Sequence, residues 1–130
     1  MDIRVSVSAG ECLDKITILE IKAAQIKDAA KLSNINHELK ILQDICAETL
    51  PKEIDISGEM AELKSVNEAL WEIEDNIREK EFAGEFDQRF IELARSVYVT
   101  NDKRAALKRE LNEKLGSELI EEKSYADWQK

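Results

Sequence analysis

The stretch that decides the fold is Val99-Thr100-Asn101-Asp102-Lys103-Arg104-Ala105-Ala106-Leu107-Lys108-Arg109. Nothing in it or on either side for some distance breaks a helix, so it reads as the middle of one long rod. Asp87 is placed to cap the start of that rod and Gly116 to end it, which predicts a helix over 87–115. Projected at about 100° per residue, Phe86, Phe90, Leu93, Val97, Leu111 and Leu115 fall within about 40° of one line. Asn101, Arg104 and Lys108 fall in the same band. The stripe is therefore apolar at both ends and polar at its centre.

Upstream, the pattern stays helical. Leu63, Val66, Leu70, Ile73 and Ile77 form the inward line of a third helix, expected over 58–82 with Ser57 as its cap. Glu68, Glu72, Asp75 and Glu79 make an acidic stripe on its other side. Ala83-Gly84 ends it, so the third and fourth helices form a long antiparallel hairpin. A second helix over 33–49 carries Ile35, Leu39, Leu42 and Cys46 and stops before Leu50-Pro51. Ser8 and Glu11 have the spacing of a capping box, which starts a first helix over 8–29. Its main seam is Cys12, Ile16, Leu19, Ala23 and Ile26. Ile18 and Ile21 lie on its far side, so it must be central or covered by a second subunit.

The expectation is a mainly α, single-domain four-helix bundle of two antiparallel hairpins, with a tail over 116–130. Residues 2–7 alternate polar and apolar around Ile3, Val5 and Val7, the signature of a short strand. Its partner would be the stretch Leu119 to Tyr125 in the tail, or the same strand in a second subunit. One Pro, four Gly and only 5% aromatic residues argue against a larger β component.

Composition narrows the function classes. The 130 residues are 43% hydrophobic and 36% charged, as in a soluble helical domain. A net charge of −9 disfavours nucleic acid and anionic membranes as partners. No apolar run approaches membrane-spanning length and the N-terminus lacks a signal-peptide core, which points to the cytoplasm. Cys12 and Cys46 read as reduced, small hydrophobes on apolar faces.

The chemistry-bearing patterns are few. Glu11/Asp14 and Glu72/Asp75 each have the i, i+3 spacing that presents two carboxylates to Mg²⁺. Capping explains the first pair and a solvated stripe the second. His37, the only histidine, has Glu38 pointing away from it, and no Glu-x-x-His motif or glycine-rich phosphate loop is present. No cofactor and no metal are expected.

What remains is the polar centre of the fourth helix. Glu20 projects about 40° from Ile16, and Glu74 about 40° from Leu70 with Asn67 nearby, so seam acids face seam bases. A buried charge must be paired or wet. Asn101, Arg104, Lys108, Glu20, Glu74 and Asn67 are thus either an internal network fixing helix register, the favoured reading, or a pocket for an anionic small molecule such as a phosphate. A solvated subunit interface is the third option.

Four blocks carry a resemblance: "GECLDKITILEIK" from Gly10, "LWEIEDNIR" from Leu70, "TNDKRAALKRELN" from Thr100 and "LGSELIEEKSY" from Leu115. In order and spacing they resemble a bacterial family of short, uncharacterised proteins over nearly the whole chain. Cys12 stands where that pattern leads one to expect an aliphatic residue. The resemblance implies a small, mostly helical cytoplasmic protein and supplies no catalytic residues. The leading expectation for function is a non-enzymatic interaction or oligomerisation module, most simply a homodimer. The alternative is a small-molecule site, or an enzyme, at the polar break around Arg104.

Overall fold

The computed structural model describes residues 1–129. It is a mainly α four-helix bundle of two antiparallel hairpins: α1 (Ala9–Gln25), α2 (Ala29–Thr49), α3 (Ser57–Ala83) and α4 (Gln88–Leu115). Local chemistry sets the ends. Ser8 Oγ accepts from the Glu11 amide at 3.1 Å, and Asp87 from the Phe90 amide at 3.0 Å. Gly84 and Gly116 close α3 and α4 in the left-handed region, at φ 68° and 65°, where a side chain would be strained.

Two boundaries differ from the sequence reading. The first helix stops at Gln25 rather than residue 29, and the second starts at Ala29 rather than 33. Asp28 is the reason: its side chain accepts from the Lys31 amide at 2.9 Å and nucleates α2 early. Likewise Ser57 is not a cap but the first residue of α3, with its own amide held by Asp55 Oδ1 at 3.0 Å.

The N-terminal strand does not form. Residues 2–7 have no regular structure, and Ile3, Val5 and Val7 are exposed. Alternation makes a strand only where a ladder partner exists, and among the described residues there is none. The tail, the other candidate strand, lies irregularly along α4 and spends its polar groups on that helix's side chains instead.

Packing is uneven. α1 meets each of the other three helices, whereas α2 approaches only α1 closely. The buried core gathers Leu13 and Ile16 of α1, Leu63 of α3, and Leu107 and Leu111 of α4. The first helix is thus the central one, as its two apolar faces require. Contacts of Gly10 with Asn112, Glu11 with Lys108 and Asp14 with Arg104 run α1 antiparallel to α4.

Length does the rest. α1 has 17 residues and α4 has 28, about 25 Å against about 42 Å. Counted back from the Gly10–Asn112 contact, α1 runs out near the level of Val97. The far end of the α3–α4 hairpin projects beyond it, with Phe82, Phe86 and Ile91 exposed. Among the described residues no helix is long and apolar enough to cross a membrane.

Candidate functional site

The polar break lies at the junction of α1, α3 and α4, and Asp14 is its centre. This carboxylate is fully buried. It accepts from Arg104 Nε at 3.0 Å and from the adjacent guanidinium NH2, and from Asn67 Nδ2 at 2.8 Å. Asn67 also donates to Thr17 Oγ1 at 2.8 Å, and that hydroxyl donates to the Asp14 carbonyl at 2.7 Å. A planar guanidinium offered to both oxygens of a buried carboxylate is the strong, bidentate form of an ion pair. The Asp14 carboxylate accordingly holds the Arg104 guanidinium above its ordinary pKa, outweighing the opposing effect of burial.

One turn further along α4, Lys108 is almost as buried. Its ammonium donates to Glu11 at 2.6 Å and to Glu121 of the tail at 2.7 Å. Burial pulls its pKa down, but the two carboxylates outweigh that and raise it. The same pairing with Lys108 lowers the pKa of Glu121.

Next come Gly10 and Asn112. The Gly10 amide donates to Asn112 Oδ1 at 2.6 Å, and the Ala9 amide donates to Ser117 Oγ at 3.2 Å. The free amides that open α1 are therefore capped from within the chain, by Ser8, Asn112 and Ser117. A Cβ at Gly10 would press on the Lys108 carbonyl and come within 2.9 Å of Asn112 Oδ1. Glycine is what lets α1 approach α4 this closely.

Of the six residues expected here, Arg104, Lys108 and Asn67 are in the network. Asn101 is half-buried one turn before Arg104 and takes no part in these hydrogen bonds. Glu20 and Glu74 are not the acids that face Arg104. Glu20 pairs with Lys64 at 3.3 Å at the half-exposed margin of α1. Glu74 is exposed and bonds Arg78, one turn on along α3, at 3.1 Å. Each lies about 40° off its helix's apolar line, at the rim of the buried face, where the carboxylate reaches solvent.

Asp14, Thr17, Gly10 and Asn112 were missed. Their signal is present, because Gly10, Asp14, Thr17 and Ile21 recur at steps of four, three and four. They form a second inward face of α1, small and polar at Gly10, Asp14 and Thr17 and apolar at Ile21. Of the two Mg²⁺-spaced pairs, Glu11 and Asp14 are each engaged by a cation, and Glu72 and Asp75 are exposed. No cluster of three or more metal-type ligands occurs among the described residues.

A shallow groove of about 200 Å³ runs between α4 and the tail, lined by Lys108, Arg109 and Lys123 together with Glu121 and Glu122. Each of its three cations is already paired with a carboxylate, Lys108 with Glu11 and Glu121, Arg109 with Glu122 and Lys123 with Glu121.

A model for DUF6165, a family of unknown function, matches residues 3–128. The chain belongs to this family. No curated protein and no solved structure matches the chain significantly. Family membership thus brings no residue roles, and the reading of the site rests on its geometry.

Proposed function

We propose that the chain is a non-enzymatic helical interaction module that pairs with a second copy through the projecting end of its α3–α4 hairpin. The observation that carries this is the uncovered apolar surface there. Phe82 and Phe86 are 94% and 61% exposed, and Phe86 stacks edge-on with Phe90 at 5.2 Å between ring centroids. Near its base the same hairpin holds α1 in its groove; near its tip the groove lacks that helix. A second hairpin lying antiparallel in it would complete a four-helix arrangement, each copy offering the same surface to the other. The charges around the tip suit such a self-complementary contact, since Lys80 and Arg89 stand beside Glu85 and Asp87.

The other candidate function, capture of a small anion by Arg104 and Lys108, finds less support. An incoming phosphate would have to displace Asp14 from Arg104, or both Glu11 and Glu121 from Lys108. We further propose a cytoplasmic setting, which the two unbridged cysteines support.

The test is sedimentation velocity across a micromolar concentration series, on the wild type and on Phe82→Ser/Phe86→Ser. The wild type should shift from monomer to dimer and the double variant should stay monomeric. Because both rings are exposed, the variant's own folding stability should change by only about 0.5 kcal/mol. A wild type that remains monomeric throughout would overturn the proposal.

A further inference from the structure

The sulfurs of Cys12 on α1 and Cys46 on α2 lie 3.2 Å apart, and both thiols are free and half-buried. A disulfide needs them at about 2.05 Å, so a closure of about 1 Å separates this contact from a bond. The two residues are 34 apart in sequence, and they tie together the two helices of the N-terminal hairpin. α2 is the helix with no buried residue and no close neighbour besides α1. Partial exposure lets a small oxidant reach the sulfurs.

We propose that Cys12 and Cys46 form a redox-active dithiol, which a low-molecular-weight disulfide oxidises to a bridge fastening α2 to α1.

The order of events follows from the surroundings. The hydrogen bond from Cys46 lowers the Cys12 pKa to about 7, burial opposes that, and Lys15 assists it. The same contact, with burial, raises the Cys46 pKa. Cys12 is therefore the thiolate that attacks first. Its sulfur bonds to one sulfur of the oxidant, the oxidant's S–S bond breaks, and one small thiolate leaves. Cys46 then loses its proton to solvent and attacks the Cys12 sulfur, expelling the second small thiolate. In sum, two protein thiols give one disulfide, two electrons reduce the oxidant to two thiols, and two protons are transferred. Enclosing 34 residues restrains α2 in a way that packing on a single neighbour does not.

The experiment titrates the intact protein with oxidised glutathione and reads the product by mass, with Cys12→Ser and Cys46→Ser as controls. The wild type should lose two hydrogens with no lasting adduct. Cys46→Ser should stop at a single glutathione adduct on Cys12, and Cys12→Ser should react more slowly. Amide exchange should slow in the α2 residues of the bridged form, by roughly thirtyfold at the low end of what such a closure gives, and stay unchanged in α3 and α4. Serine at either position is nearly isosteric with the thiol, so both variants fold and remain informative. Stable double adducts, covalent dimers or no reaction would each overturn the proposal.

Discussion

Seen only as patterns, α1 and α2 are near equals. Cys12, Ile16, Leu19 and Ala23 step along one as Ile35, Leu39, Leu42 and Cys46 step along the other. Yet α1 buries Gly10, Leu13, Asp14, Ile16, Thr17, Leu19 and Ile21, and α2 buries nothing. The difference lies in the opposite face. Behind its apolar seam α1 carries Gly10, Asp14 and Thr17, small or polar groups that let α3 and α4 close in, and the buried Ile21. Behind its own seam α2 carries Ser33, His37, Lys40 and Asp44, which stay in water. One stripe gains one neighbour, and two stripes gain three.

The largest way to break this comparison is to remove the charge that α1's second face depends on. Arg104→Met deprives Asp14 of its counter-ion while leaving the carboxylate buried. Removing one partner of a buried pair costs about 3–5 kcal/mol, read by urea denaturation. Arg78→Met, which undoes the exposed Glu74 pair, should cost about 0.5 kcal/mol or less, because solvent screens it. Near-equal losses would mean that water reaches Asp14 and that the seam is wet rather than sealed.

A second substitution pair sharpens the comparison along the apolar seams themselves. Leu19 is buried, so Leu19→Ala should cost about 2–4 kcal/mol by lost burial and the cavity left behind. Leu42 is half-buried, and Leu42→Ala should cost about 1 kcal/mol, in line with the area it hides. Thermal and urea unfolding of the two variants at one protein concentration checks the ratio. Equal losses would show that the outer side of α2 is covered in solution, and would shift the self-association surface from the hairpin tip to that helix.

These expectations also show where the sequence was readable. Periodicity and end signals such as Asp87, Gly84 and Gly116 were enough for four helices and their pairing. Arg104, Lys108 and Asn67 were visible because a polar residue inside or beside an apolar line is conspicuous. Asp14 was not, because Glu11 and Asp14 sit in the first turns, where acids are ordinary. Gly10 was hidden for a similar reason: nothing in one chain distinguishes a glycine needed for close approach from one that merely starts a helix. Glu20 and Glu74 were misplaced because a position about 40° off the apolar line sits at the rim of the buried face, where a long carboxylate side chain turns to water. The alternation of residues 2–7 misled because a strand depends on a partner edge, which a local pattern cannot reveal.

The tail after Gly116 belongs on the weak side of the comparison, with α2, since beyond Ser117, which meets the Ala9 amide, its bonds to the helices go to α4. Glu121 holds Lys108, Glu122 holds Arg109 at 3.2 Å, and Trp128 Nε1 donates to Asp102 at 2.5 Å beside the Tyr98 ring. Its attachment should therefore respond to pH before the bundle does. Glu121 has a lowered pKa, so its contribution is fully present above the ordinary glutamate value of 4.5 and is lost as pH falls through the lowered one. Lys108 has a raised pKa, so its contribution is present below the ordinary 10.5 and is lost only as pH rises through the raised one. Glu121 is partly exposed, and screening keeps the effect to about 0.5 kcal/mol or less. Trp128 fluorescence in a Trp71→Phe background reports it: steady from neutral pH down to the ordinary carboxylate range, then changing below it while the helical circular dichroism holds. Glu121→Gln should loosen the tail at neutral pH and flatten that acid change. A tail signal that moves only together with helix unfolding would place the tail with α1, as part of the cooperative core.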